Sequence, residues 1–132
     1  MSSAHHPSVL ILDRDPIHRQ RLENALRARA YQASSRADGR AGLYFIDQRP
    51  PSLLITEIDL EYLDGFTLAG ALKARPETAS IPVIFLSARD DRETMLNALQ
   101  LGAKFFVPKP FSLDDLLAKV ERSLSPSPEG EL

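Results

Sequence analysis

The stretch VLILDRDP, at residues 9–16, joins four consecutive apolar residues to a short acidic cluster. A continuous apolar run of this length is typical of a β-strand that is buried on both faces, as in parallel sheets. Asp15 can cap a helix that begins at Pro16, because proline lacks an N–H group and the first helical turn does not need one. The stretch therefore predicts a strand that leads directly into a helix, with Asp13, Arg14 and Asp15 at the junction.

Further apolar runs divide the rest of the chain into units of the same kind. They predict strands at 53–55, 81–86 and 105–107, and a weaker run predicts a strand nearer an edge at 31–34. Apolar residues at helical spacing follow the runs and predict helices after Pro16, at 41–46, around 66–72, at 94–101 and after Ser112. Gly102 is expected to end the fourth helix, and Ser112 with Asp115 forms a capping pair for the last.

Strands that alternate with helices in this way predict right-handed crossovers and a parallel sheet covered on both faces. We expect an α/β fold, specifically a flavodoxin-like, doubly wound (βα)5 sandwich with a five-stranded parallel sheet of order 2-1-3-4-5. A closed eight-stranded barrel would need about twice this chain length. The single domain is expected at 8–124, between a flexible leader at 1–7 and a flexible tail or linker stump at 125–132.

The composition narrows the class of protein further. The 132 residues are 43% apolar and 26% charged, with a net charge of −2 and no cysteine. These values are typical of an ordinary globular domain, and they exclude a disulfide framework and a thiolate metal site. The balanced charge and the lack of a long apolar segment lead us to expect no nucleic-acid binding by this domain, no membrane contact and a cytoplasmic location.

Polar side chains gather where the predicted strands end. Because ligands of open parallel sheets bind at the carboxyl ends of the strands, we expect these side chains to share one site. Carboxylates are suitable ligands for Mg²⁺, and a hydroxyl group and a lysine can hold a phosphoryl group. The residues concerned are Asp13, Arg14 and Asp15 after the first strand, Glu57 and Asp59 after the third, Ser87 after the fourth, and Lys109 after the fifth.

Four stretches together resemble the receiver (CheY-like) domain of two-component response regulators. They are VLILDRDP at 9–16, PSLLITEIDLEYLDGFTL at 51–68, IPVIFLSARDD at 81–91 and GAKFFVPKPFSLDDLL at 102–117. In that family an acidic pair after the first strand and an aspartate at the end of the third hold Mg²⁺, and this aspartate accepts a phosphoryl group from a histidine kinase. The resemblance implies a signal-transduction module and covers nearly the whole chain.

The family's functional positions can be assigned residue by residue. Asp13 matches the first acid of the pair, Glu57 the phosphoacceptor, and Asp59 the residue whose backbone carbonyl faces the metal. The resemblance also assigns Ser87 and Lys109 to phosphoryl binding, Phe106 to the aromatic switch, Asp64-Gly65 to the loop after the third strand, and Lys109-Pro110 to a peptide bond that is usually cis.

Two of these positions depart from the family pattern, which makes this an atypical variant. Glu57 is longer than aspartate, so its carboxylate lies roughly 1.5 Å further out, enough to impair phosphotransfer. Arg14 places a cation where the second metal-binding acid should be. We expect weak or lost Mg²⁺ binding at Asp13, Glu57 and Asp59, and no other cofactor. The Arg14 guanidinium is expected to replace the metal by bridging Glu57 and Asp13 or Asp15, and Glu57 to reach toward Lys109 and Ser87.

Three functions are compared on these residues. The favoured one is a phosphorylation-independent receiver that acts by protein docking, with at most residual self-phosphorylation or dephosphorylation. The alternative is a functional phosphoacceptor that uses Glu57, or Asp59, with weak Mg²⁺ binding. A flavin carrier or small hydrolase is disfavoured, because the loop 13–16 lacks the Ser, Thr and Gly residues that cradle a phosphate. Glu57 is compatible both with a mimic of the phosphorylated form and with a site that has merely decayed.

The expected partners are proteins, namely a sensor kinase and an output protein or domain. In the family, the face formed by the fourth helix, fifth strand and fifth helix often mediates dimerisation, so a homodimer through this face is possible. It would include Arg92, Gln100, Lys104, Phe105 and Lys119. The first helix is rich in basic residues, which are either a solvated face or a docking surface for an acidic partner.

Overall fold

The computed structural model describes residues 6–125; most of the expected leader and tail, at 1–5 and 126–132, lies outside the described residues. The strands are β1 (Ser8–Leu12), β2 (Gln32–Arg36), β3 (Leu53–Glu57), β4 (Val83–Ser87) and β5 (Phe105–Pro108). The helices are α1 (Pro16–Ala28), α2 (Gly39–Gln48), α3 (Gly65–Lys73), α4 (Arg92–Gln100) and α5 (Leu113–Leu124).

The five strands form one parallel sheet of order β2-β1-β3-β4-β5, which confirms the predicted fold. The order reverses direction between β1 and β3, where a crevice opens at the carboxyl ends of the strands. The register pairs Leu12 with Thr56, so the next residues along the two strands, Asp13 and Glu57, emerge side by side. The sheet topology thus places the acidic cluster of the first stretch beside the end of β3.

The core consists of two apolar layers, one on each face of the sheet. Val9 and Ile11 of β1 pack with residues of α1 and α5 in one layer. Leu10 and Leu12 of the same strand pack with residues of α2, α3 and α4 in the other. Both faces of the strand are therefore buried, which explains why its sequence is continuously apolar rather than alternating.

Several predicted boundaries shift by one or two residues in the structure, among them the start of β4 at Val83 rather than 81, and three of the shifts have a clear local cause. Helix α2 begins at Gly39 rather than 41, because the Asp38 carboxylate accepts a hydrogen bond from the backbone N–H of Ala41 at 2.8 Å. Helix α4 begins at Arg92 rather than 94, because Asp91 caps it and accepts hydrogen bonds from the N–H and O–H of Thr94. These bonds hold the pKa of Asp91 below its ordinary value. Strand β2 extends to Arg36 because it pairs along the whole of β1.

The two helix ends before β2 and β5 use the same left-handed turn with different residues. Gly102 follows α4 with a φ angle of +78°, which confirms its predicted role as a cap. Ala30 occupies the corresponding position after α1 with a φ angle of +70°, and its N–H donates to the carbonyl of Arg27 at 3.0 Å. A Cβ atom is disfavoured in this region of conformational space, so Ala30 is locally strained.

We expect Ala30→Gly to raise the free energy of unfolding by about 0.5–1 kcal/mol, because glycine adopts the left-handed conformation without steric cost. The matched control is Ala28→Gly, the same exchange inside the last turn of α1, which should lower the free energy of unfolding. Urea denaturation measures both variants. A loss of stability in Ala30→Gly would show that the conformation after α1 is not strained.

Candidate functional site

We call the side chains at the carboxyl ends of β1, β3, β4 and β5 the rim of the site. The buried carboxylate of Asp13 lies at its centre. Its side chain is 1% exposed, directly after β1. One oxygen accepts a hydrogen bond from the backbone N–H of Asp15 at 2.9 Å, and the other contacts Nδ1 of His18. Arg19 donates from Nη1 to the backbone carbonyl of Asp13 at 2.8 Å. A buried carboxylate needs such partners, because an unpaired charge at this depth is strongly unfavourable.

The position of His18 follows from the start of α1. The carboxylate of Asp15 accepts a hydrogen bond from the backbone N–H of Ile17 at 3.0 Å, and Pro16 occupies the first helical turn. This cap turns the helix over the end of β1 and places His18 on Asp13, with its ring centroid 5.8 Å from that of Phe111. His18 is a site residue that was not predicted from the sequence, where it is only one of several basic residues of α1. Its place in the first turn after a capping aspartate was the signal that could have identified it.

The second acid of the rim, Glu57, is paired with Lys109. Glu57 is the last residue of β3, and Lys109 follows β5. Their side chains form an ion pair in which Glu57 is 15% and Lys109 24% exposed, and Lys109 Nζ also lies 4.0 Å from Asp13. The added length of glutamate therefore lets its carboxylate reach Lys109, as predicted from the sequence. No hydrogen bond between Glu57 and Ser87 is present in the described part of the chain.

The expectation for the Arg14 side chain is wrong. Arg14 is exposed, and its guanidinium forms no ion pair among residues 6–125. Its backbone N–H donates to the Glu57 carboxylate at 3.3 Å. The physical reason is that both carboxylates already have partners: Glu57 pairs with Lys109, and Asp13 accepts the backbone N–H of Asp15 and contacts His18. A further cation would gain little there, while an exposed guanidinium stays fully hydrated.

The remaining predicted residues divide into two groups. Ser87 is buried at the end of β4, its hydroxyl accepts the backbone N–H of Arg89 at 2.9 Å, and its carbonyl accepts the N–H of Lys109 at 2.8 Å. It therefore lies on the same rim as the ion pair. Asp59 does not: its exposed carboxylate accepts a hydrogen bond from Arg89 at 3.0 Å. Phe106 is partly buried and packs against the core layer of α2, α3 and α4.

The loop after β3 is fixed by Asp64 and Gly65. Asp64 caps α3 by accepting the backbone N–H of Thr67 at 2.8 Å, and the N–H of Gly65 donates to the carbonyl of Ile58 at 2.8 Å. A Cβ atom on Gly65 would lie 2.4 Å from the carbonyl oxygen of Glu57, so only glycine fits this approach. The Lys109-Pro110 peptide bond is cis.

The rim encloses an open acidic pocket of about 470 Å³. Its lining residues are Asp13, Arg14, Asp15, His18, Glu57, Glu61 and Lys109. Within the described residues, no group of three or more Asp, Glu or His side chains is arranged to hold a metal ion. The two inner carboxylates already contact a lysine and a histidine, so this donor set does not fit Mg²⁺, which prefers several free oxygen ligands.

The comparison with known proteins agrees with this geometry. Residues 9–121 match the family model described as the response regulator receiver domain. The chain belongs to this family.

The chain covers different shares of its individual relatives. The chain is 32% identical over 122 residues to "Probable chemotaxis protein CheY" of Rhizobium etli, covering 92% of this chain and 95% of that protein. It is 32% identical over 116 residues to the transcriptional regulatory protein KdpE of Mycobacterium tuberculosis, covering 88% of this chain but only 50% of that protein. The chain thus spans about half the length of such regulators.

A solved structure gives the same result at the level of the fold. The signal receiver domain of a signal transduction histidine kinase from Syntrophus aciditrophicus superimposes with a TM-score of 0.83 at 30% identity, covering 89% of each chain. Receiver domains are signalling modules. Among the described residues, no helix combines the length and apolar character needed to cross a bilayer.

The ion pair between Glu57 and Lys109 is expected to stabilise the fold. Lys109→Met removes the charge and keeps a long side chain. We expect the free energy of unfolding to fall by about 1–3 kcal/mol, because partly buried Glu57 loses its cation. The double variant Lys109→Met/Glu57→Gln should recover most of this loss, since neither charge then remains. Urea denaturation measures all three proteins.

The matched control is Lys119→Met, which breaks a 2.7 Å ion pair with the more exposed Asp115 on α5. We expect this change to cost less than about 1 kcal/mol, since exposed pairs contribute little. Equal losses in the Lys109 and Lys119 variants would contradict a special contribution from the pair at the rim.

Proposed function

We propose that this receiver acts as a docking module whose output does not depend on phosphorylation. The observation that carries the proposal is the pairing of both inner carboxylates with basic side chains of the same chain: Glu57 with Lys109, and Asp13 with His18. Both carboxylates therefore have partners within the protein. A divalent cation would have to displace a lysine and a histidine before it could reach its ligands.

The acceptor position supports the same proposal. Phosphotransfer requires the attacking carboxylate oxygen to be free and positioned within a fraction of an ångström. In Glu57 one carboxylate oxygen contacts Lys109 and the other accepts the backbone N–H of Arg14. The lysine that would hold an incoming phosphoryl group is thus occupied by the acceptor itself.

A second candidate function is a receiver that still accepts a phosphoryl group. The favouring observation is that Ser87 and Lys109 lie together on the rim with Glu57. Asp59 is a weaker acceptor candidate, because its exposed carboxylate pairs with Arg89 away from Asp13 and Lys109. Labelling with acetyl phosphate distinguishes the two functions, since only a working acceptor would retain the label.

The docking proposal predicts an unresponsive site. In a ¹⁵N–¹H NMR titration, amides near Asp13, Glu57, Ser87 and Lys109 should not shift with millimolar Mg²⁺ or after beryllofluoride is added. NMR is the suitable method, since the chain has no tryptophan for a fluorescence titration. Saturable, coupled shifts at these amides would instead support the phosphoacceptor function.

A variant that restores the family residues gives the positive control. Arg14→Asp combined with Glu57→Asp adds an oxygen ligand and shortens the acceptor, so we expect saturable Mg²⁺ binding in the same titration. The matched control combines Arg29→Asp with Glu121→Asp, which makes the same two exchanges away from the rim. If only the first double variant responds, Arg14 and Glu57 are the cause of the lost metal binding.

We also propose that the protein partners, a sensor kinase or an output protein or domain, meet this receiver in the cytoplasm, and that the α4–β5–α5 face forms a homodimer. Helix α4 exposes Met95, Leu96 and Leu99, which the fold leaves without an intramolecular partner layer. On the same face, Lys119 and Arg122 lie 5.8 and 5.1 Å from the ring centroid of Phe105. An apolar strip beside a cationic and aromatic cluster is a composition typical of interfaces.

If the α4–β5–α5 face forms a homodimer, a charge placed in its apolar strip should weaken self-association. Leu99→Asp should weaken self-association at least about tenfold, because an aspartate at the centre of the strip would be buried without a partner. Ile17→Asp is the control, since Ile17 is an even more exposed apolar residue and lies on α1, away from the proposed face. Sedimentation equilibrium measures both variants. A wild-type chain that stays monomeric, or equal effects of the two substitutions, would contradict the proposed face.

A further inference from the structure

We propose that the groove between α1 and the start of α5 binds a small organic carboxylate with an apolar body. The groove has a volume of about 390 Å³, within the range of roughly 300–1,000 Å³ that is typical of small-molecule sites. It adjoins the acidic pocket and shares His18 and Lys109 with it. The inference goes beyond the docking function and does not depend on it.

The floor of the groove is apolar. Its apolar lining residues are Leu22 of α1, Pro110 and Phe111 of the loop after β5, and Leu113 at the start of α5. Leu22 belongs to the buried core, and Phe111 and Leu113 pack against that core from the loop and the helix. The floor is therefore supported by packed elements, which keeps it preformed. An apolar ligand body would be buried there without a rearrangement of the fold.

The edge of the groove is cationic. Its polar lining residues are His18, Arg21 and Lys109, and no Asp or Glu of the described chain lines it. Lys109 and Nδ1 of His18 already contact the carboxylates of the acidic pocket. Arg21, by contrast, is exposed, and its guanidinium forms no ion pair or hydrogen bond within residues 6–125. A planar guanidinium binds a carboxylate in a bidentate geometry, so Arg21 is the group that would hold the charged end.

The shape of the groove favours a small molecule over a protein surface. Three of its apolar groups are recessed, since Leu22 is 2% exposed and Phe111 and Leu113 are partly buried, whereas Pro110 is exposed at the edge. A compact ligand can fill such a recess, whereas a flat protein surface would contact mainly its edge. An apolar recess beside Arg21, which has no charged partner among residues 6–125, selects a ligand that is apolar at one end and anionic at the other.

The experiment uses 1-naphthoate as the probe and 1-naphthamide as its uncharged analogue of the same shape. In a ¹⁵N–¹H NMR titration of the full chain, naphthoate should produce saturable shifts at the amides of Leu22, Phe111 and Leu113. Naphthamide should bind at least about fivefold more weakly, because it lacks the charge that pairs with Arg21. Absence of saturable naphthoate shifts at these amides, or equal affinities of the two probes, would overturn the proposal.

Two arginine variants complete the test. Arg21→Gln should reduce the affinity for naphthoate about fivefold and leave that for naphthamide unchanged. Arg29→Gln removes another exposed arginine of the same helix region outside the groove, and it should change neither affinity. If both variants weaken naphthoate equally, the effect is one of overall charge and the proposed site is wrong. None of these results depends on Mg²⁺ or beryllofluoride, so failure here is distinguishable from failure of the docking function.

Discussion

Burial of the central strands on both faces is the constraint on which the rest of this receiver depends. Strands β1, β3 and β4 lie between two helical layers, and almost every side chain along them is in the core. Such strands cannot carry charge along their length, because an unpaired buried charge costs several kcal/mol or more. Charged and polar side chains therefore concentrate where the strands end. The switch in strand order between β1 and β3 brings those ends together at one crevice.

Pairing within the chain organises that crevice. Two carboxylates lie there, Asp13 after β1 and Glu57 at the end of β3, and a carboxylate at this depth needs polar or charged partners. The protein supplies these partners itself, since His18 from the first turn of α1 contacts Asp13 and Lys109 from the loop after β5 pairs with Glu57. Glu57 and Lys109, which the receiver resemblance assigns to the acceptor and to phosphoryl binding, are thus engaged with each other.

Two surfaces of the domain are candidates for binding. Helix α4 exposes an apolar strip, and β5 and α5 carry the aromatic and cationic cluster around Phe105. The groove beside His18 and Lys109 combines apolar lining residues with Arg21. Both surfaces adjoin elements that are anchored in the core. Their geometry is therefore set by packing.

The sequence by itself determined the fold and most of the rim residues, although it did not single out His18 and it grouped Asp59 with them. Continuous apolar runs that end in polar residues are sufficient for this. A strand buried on both faces needs apolar residues throughout, and the polar residues that bind ligands follow directly where such strands end. Helix starts were less accurate, because Asp38 and Asp91 cap their helices before the first apolar position. The partners of the charges were decided only by tertiary structure. Lys109 and Glu57 are 52 positions apart in sequence, and whether a lysine, an arginine or a histidine reaches a given carboxylate depends on side-chain direction and burial, which spacing along the chain does not encode. For this reason Arg14, adjacent to Asp13 in sequence, stays in solvent while Lys109 and His18 contact the two carboxylates.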